Sequence, residues 1–592
     1  MKTCETRVRI TTKAMRLLSL AAACLIAHGA YAATWTGANG TDLADPDNWA
    51  DGDIATTPML FGMDASTTLS QDLTVYGIFK SGESGQSYRN RTVEFNLGGH
   101  TLTSLNAGEW RHDNTTYRFT NGNLLNVNGS TTNAITVSNN NYPRAFFEVT
   151  GTETTFVGNW KSRAMQSSGF GPCFRVLDGA SAYGADFFFG GRYSTNEVSD
   201  ASSLNASTSI IVGGFGSGTS SYSYNTGHCY DVLAVSGAST LAGGSLCVGH
   251  GFNSSSAGNH DNRLTVSGGS TASVSALYLG TYGPNYSNTV EIAGEGTAFT
   301  VSGAAYLGND SATSERTGTP YDNSLVVSDG ATATINGIVY IGSGGTNNSL
   351  FVRSGARLSA SHTHNYLGGD KRAGVKSHLF AEGSGTEVSF VNSLYVRNLT
   401  EDAGMAQTIT VMDGATLSAS KIALSGAGNK VMISNATVSV SGNLWTIRET
   451  ASGTDSSNTV FRFSGDAPAL SCNRFNDTTR SLLGAPVLEY VIPEAGWSVA
   501  PLRSNESFTI PADVVLRIDA DSVKAYKSAL AARGEKTGIV PLMKTGATNW
   551  AITIEDETAL AANLPEGCSL VYEDGVLSVK IKSGSGLAIF VR

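Results

Sequence analysis

Apolar positions along this chain fall into two short signatures that return many times in a background of Gly, Ser, Thr and Asn. One is an apolar-x-apolar triplet a few residues before a glycine, as in Leu233/Val235, Leu264/Val266, Val290/Ile292, Leu325/Val327, Leu350/Val352, Leu379/Ala381 and Ile409/Val411. The other is an apolar dyad that closes on glycine: Ile211-Val212-Gly213, Cys247-Val248-Gly249, Tyr278-Leu279-Gly280, Tyr306-Leu307-Gly308, Tyr340-Ile341-Gly342 and Tyr366-Leu367-Gly368, with Tyr395-Val396-Arg397 as the variant. A period of two predicts β-strands whose successive side chains point to opposite faces. Val212, Val248, Leu279, Leu307, Ile341, Leu367 and Val396 are then inward, and the tyrosines before five of them outward.

The spacing of the signatures predicts how the strands are arranged. From the triplet's glycine to the end of the dyad signature the interval is twelve to fourteen residues, whereas from there to the next triplet it varies, from Gly249 onward, between eight and seventeen. A rigid coil with elastic loops on one side behaves this way, because surface insertions leave stacked strands undisturbed. Between triplet and dyad lies a third segment of small and β-branched residues, such as residues 331–335 or 415–419, which suits a narrow interior. Repeats of 21 to 36 residues with two or three strands each predict an all-β parallel β-helix.

The pattern divides the chain into regular repeats over residues 171–450, an N-terminal cap with irregular turns over 33–170, a linker or C-terminal cap over 451–485 and a small C-terminal domain, α+β or β-sandwich, over 486–592. Trp35 and Trp49 belong to the predicted cap, which protects an otherwise open sheet edge. One helix is predicted over residues 523–533, with Asp521 or Ser522 as its cap, Val523, Tyr526 and Leu530 on one face, and Gly534 ending it.

Composition agrees with many short strands joined by turns: of 592 residues, 68 are Gly and only 15% are charged. Residues 1–32 read as a signal peptide, with Arg7, Arg9, Lys13 and Arg16 before an apolar run and cleavage expected after Ala32; Met1 and Met15 are both candidate starts, and Cys24 is a weak lipidation candidate. The expected location is extracellular, at the cell surface or in the periplasm. Losing that segment removes five basic residues and one acidic one, moving the net charge from -10 to -14. Such an acidic chain argues against nucleic acid as a partner, and no later stretch has the ~20 apolar residues of a membrane span. Five cysteines remain, at irregular spacing, so neither a disulfide framework nor a zinc site is indicated; Cys229 and Cys247 are the pair to test.

The Trp-Thr-Gly opening at Trp35, the Asn48-Trp49 that follows, the Gly-Ala-Thr turns and the Tyr-Leu-Gly endings resemble secreted bacterial β-helix proteins of the autotransporter-passenger and pectin-lyase-like type. The resemblance covers roughly residues 33–450. It implies a right-handed parallel β-helix displayed outside the cell. One departure is that the segment after Ala451 lacks the strand array of an autotransporter's membrane barrel.

Tyr278, Tyr306, Tyr340, Tyr366 and Tyr395 form the most distinctive candidate site. An outward row of phenols suits either of two roles, a contact strip for sugar rings or an external stack that stiffens the coil. A polysaccharide lyase would need a base and a neutraliser for the substrate carboxylate, and Asp370, Lys371, Arg372, Lys376 and His378 supply such groups on one loop, with His362 and His364 a turn earlier. Paired carboxylates for glycoside hydrolysis are represented in the repeats by the adjacent Glu401-Asp402 alone. His228, His250 and His260 match no metal-ligand spacing, and no metal or cofactor is expected. The expected function is therefore that of a non-catalytic surface or adhesin-like protein, with extracellular glycans or cell-surface components as partners. A β-helix polysaccharide lyase or glycoside hydrolase is the alternative.

Overall fold

The computed structural model describes residues 33–584 except 51, 78–90, 106–108, 112–114, 127–134, 140–145, 165–172, 192, 215–228, 251–258, 282–284, 309–319, 343, 369–375, 399–404, 448–458, 476–485 and 547–550. The signal-peptide assignment lies outside them. The chain is a parallel β-helix. Triplets pair with triplets and dyads with dyads from one coil to the next, so that Val290 of one strand faces Leu325 of the following coil, then Leu350, Leu379 and Ile409.

Alternation sets the faces as the pattern requires. Inward Leu279, Leu307, Ile341, Leu367 and Val396 are fully buried, as are Leu264 and Val266 of the triplet strand. The interior changes along the axis. Phe95, Phe119, Phe147 and Phe174 stack near the N-terminal end, with ring centroids 4.6 Å apart for the first pair, and aliphatic side chains take over in the later coils. Strand Ala33–Trp35 pairs with Trp49–Ala50 and Met59–Leu60 over this end, and Trp35 meets Trp49 edge-on at 5.1 Å.

Parallel pairing continues past residue 485, where the sequence period is no longer readable: Val487–Tyr490 pairs with Val460–Ser464 before it and Val515–Ile518 after it, and Leu502–Ser504 pairs with Thr537–Thr545. The ladder then turns antiparallel, Thr537–Thr545 against Val576–Lys582 and the latter against Cys568–Glu573. Helix Ala520–Ala532 buries Val523, Tyr526 and Leu530 as expected. Its N-cap is Asp519, two residues before the earlier of the expected caps, and the Asp519 carboxylate accepts from the Ser522 N–H at 2.8 Å.

A buried amide ladder locks the coils at the corner that leads into the triplet strand. Asn262, Asn288, Asn323 and Asn348 are wholly buried. The Nδ2 groups of Asn262, Asn288 and Asn323 each donate to the next Oδ1 at 2.9 Å, that of Asn348 donates to the Pro320 carbonyl, and each Oδ1 also accepts the N–H at the ladder position of the preceding coil. These bonds satisfy polar groups that burial would otherwise penalise by roughly 1–3 kcal/mol each. The ladder explains the glycine in the dyad signature. Gly308 has φ +63°, and a Cβ there would lie 2.1 Å from the Asn348 amide carbon; only glycine tolerates both conditions.

Candidate functional site

The five tyrosines of the dyad strand are brought into one column. Backbone register aligns Tyr278 with Tyr306, Tyr340, Tyr366 and Tyr395 in successive coils. Ring centroids are 5.2, 5.2, 5.3 and 5.4 Å apart, with interplanar angles of 12°, 6°, 7° and 24°. Stacking occupies the ring faces, so the column presents edges and hydroxyls outward. Tyr278, Tyr306, Tyr340 and Tyr395 are half-buried and Tyr366 is buried. In the preceding coils the column continues as Phe188, Ile211 and Cys247, an apolar stripe separate from the main core.

Around Tyr395 the column meets cations. The Arg397 guanidinium lies 4.7 Å from the Tyr366 ring centre and 5.2 Å from that of Tyr395, and the Lys421 ammonium lies 5.2 Å from Tyr395. His364 stacks on Tyr395 at 5.5 Å. Arg397 stands at the register position of Gly368.

A second aromatic column was not anticipated from the sequence. Tyr193 stacks on Tyr230 at 4.9 Å, His260 on Tyr286 at 4.7 Å and Tyr286 on Tyr321 at 4.8 Å, while Tyr230 meets His260 edge-on. Tyr193, Tyr230 and Tyr321 are exposed, at 42%, 44% and 37%. The His260 Nδ1 is 2.8 Å from the Asp261 carboxylate. The Asp261 charge raises the pKa of Tyr230, and burial raises that of Tyr286 with help from Tyr321 and Asp261. The missed signal is an aromatic ring two residues before a ladder asparagine: His260-Asp261-Asn262, Tyr286-Ser287-Asn288 and Tyr321-Asp322-Asn323. The middle residue sits at φ near +55°, where Asp and Asn are tolerated best, and this turn aims the ring outward and the amide inward.

The segments of variable length lie, in chain order, between a ring of one column and a ring of the other. Tyr306 and Gly308 precede residues 309–319, and Tyr321 follows them; Tyr278 and Tyr286 flank residues 282–284 in the same way.

The remaining candidates are described only in part. Asp370, Lys371, Arg372, Glu401 and Asp402 lie outside the described residues. Lys376 occupies an exposed turn at φ +53°. His378 begins a triplet strand, and partial burial lowers its pKa. His228 lies outside the described residues, and only the backbone of His250 is described. Among the described residues no group of three His, Cys, Asp or Glu side chains is placed to hold a metal. Cys229 and Cys247 are both buried and do not form the disulfide considered above.

Many of the charged side chains are instead organised along the coil axis. Glu94, Arg118, Glu148, Arg175 and Glu197 alternate on the outer side of the triplet strand, with Glu148 accepting from Arg118 Nε at 3.0 Å and from Arg175 at 3.1 Å. Burial works against the Arg118 charge, but Glu148 and Glu94 outweigh it and raise its pKa. Compared with known protein families, curated proteins and solved structures, the chain matches none.

Proposed function

We propose that this chain is an exported, non-catalytic surface or adhesin-like protein, a stiff spindle whose loop-bearing corner holds extracellular glycans. The observation that carries the reading is the pair of aromatic columns flanking the roots of the variable loops. Coil-to-coil hydrogen bonding keeps that corner rigid, so hydroxyl-bearing ring edges recur at a fixed interval along the axis. An extended polysaccharide lying along the spindle advances by a similar length per sugar, and phenol hydroxyls beside apolar ring edges complement its alternating polar and apolar surface. The axial ion-pair ladders support a scaffold, since they commit charges to neighbouring coils rather than to a shared cleft.

The test is a screen of the purified protein against neutral and acidic glycans that scores retention and product release together. Retention without chain cleavage is expected. Release of unsaturated or shortened products would overturn the non-catalytic reading, and absence of retention on every glycan would overturn the binding one.

A further inference from the structure

The column on the outer side of the triplet strand, charged in the early coils, turns apolar in the middle of the spindle. Register carries it from Thr265 and Glu291 through Val326, Phe351, Phe380, Thr410 and Met432 to Arg462 and Glu489. Val326, Phe351, Phe380, Thr410 and Met432 are half-buried, so part of each side chain reaches solvent, and Phe351 meets Phe380 edge-on at 5.8 Å. Ion pairs close this run at both ends: Arg263 with Glu291 before it, and Arg462 with Glu489, at 3.2 Å, after it. Glu291 stands three coils before Phe380, through Val326 and Phe351, and Arg462 three coils after it, through Thr410 and Met432. Outward from Phe380 the charges therefore come as carboxylate then guanidinium on one side, and as guanidinium then carboxylate on the other.

We infer that this face is an interface between two copies of the chain, packed antiparallel about a two-fold axis at Phe380. Such an axis lays the column on its own copy and reverses the order of the coils, so that Phe380 meets Phe380, Phe351 meets Thr410, Val326 meets Met432 and Glu291 meets Arg462. One coil further out, Arg263 comes beside Glu489 of the other copy. A parallel pair would set Glu291 on Glu291 and Arg462 on Arg462, so the charges select the antiparallel arrangement. Their existing ion pairs leave room for this: Glu148 already takes two arginines in this chain, and the Arg263 and Arg462 side chains remain 50% and 41% exposed. Beside the axis, Arg353 and Glu382 are neighbours in register, and each copy's Arg353 comes within one coil of the other copy's Glu382. At the ~4.8 Å strand spacing the face from Thr265 to Glu489 is roughly 40 Å long, and three outward side chains make it roughly 20 Å wide, close to the ~800 Å² per partner of a stable interface. The tyrosine column lies on a different strand, so the inference does not depend on the glycan reading.

Sedimentation velocity of the full protein from about 1 to 100 μM tests this, and a reversible dimer is expected within that range. Phe380→Asp, which sets two carboxylates against each other at the axis, should weaken the dimer by at least about tenfold. Thr332→Asp, the same added charge at an exposed position of strand Thr332–Ile335, should leave it unchanged. Glu291→Arg alone and Arg462→Glu alone should each weaken it by about tenfold, and the two together should restore it, because the reversed charges meet again across the axis. Within one chain the two residues are six coils apart, so restoration reports a contact between copies. If Phe380→Asp melts early, this charge cycle carries the test. A monomer throughout the range, a dimer indifferent to Phe380→Asp in a folded variant, or a double charge variant no tighter than either single one would overturn the inference.

Discussion

Replacing Asp231 by Asn should stabilise the protein, and only above acidic pH. Asp231 occupies the amide-ladder position one coil before Asn262: its N–H donates to Asn262 Oδ1 at 3.2 Å, and its own Oδ1 accepts from the Ser194 N–H at 3.1 Å and hydroxyl at 2.7 Å. The side chain is wholly buried. Burial pushes the carboxyl from 3.8 up to about 7 despite the Ser194 hydrogen bonds. Because the folded pKa lies above the unfolded one, the folded state binds the proton more tightly. This stability is fully present below about pH 4 and is lost as pH rises through about 7. The interval is worth about 4 kcal/mol once the group is ionised in both states. Asn keeps the acceptor for Ser194 and places an N–H2 where the ladder's other members donate to the next coil. The expected gain of Asp231→Asn is therefore close to zero at pH 4 and approaches about 4 kcal/mol by pH 8. Urea unfolding of both proteins across this range, followed by circular dichroism, measures the difference. A gain that does not vary with pH, or a loss at pH 8, would refute the argument.

Glu148→Ala should cost about 3 kcal/mol in urea unfolding, because it leaves Arg118 and Arg175 facing each other without the carboxylate they share. Gly308→Ala combines a left-handed φ with a collision against Asn348 and should lower stability on the order of 3 kcal/mol, whereas Gly99→Ala, which meets no atom within 4 Å, should cost less. Burial holds the Cys247 and Cys472 thiols up to about 12, so a thiol reagent at pH 8 should label the half-buried Cys568 first and those two only on unfolding. Mass spectrometry of the labelled peptides reads the order.

The β-helix was legible because its inward positions obey strict alternation and its repeats keep one constant interval. The tyrosine column was legible for the same reason, since a fixed register turns a recurring Tyr-Leu into a stack. What the sequence concealed follows from the physics of each element. The asparagine ladder and the second aromatic column depend on a turn residue at positive φ, and Asp261, Ser287 and Asn347 read as ordinary loop composition when seen singly. The coils beyond residue 485 keep parallel pairing through Leu488, Tyr490, Leu516 and Ile518 without the glycine endings that mark earlier repeats. The grouping at Tyr395 draws Arg397 and Lys421 from successive coils, 24 residues apart, and becomes a cluster only once the register is known.

The contact surface itself is tested most directly by measuring glycan affinity and thermal melting together for the Tyr306→Ala, Tyr340→Ala double variant. Affinity falling at least tenfold, with melting lowered only by the modest loss of stacking, is the result this account expects. Unchanged affinity with a large drop in melting would mean that the tyrosines are a staple alone, and would contradict it.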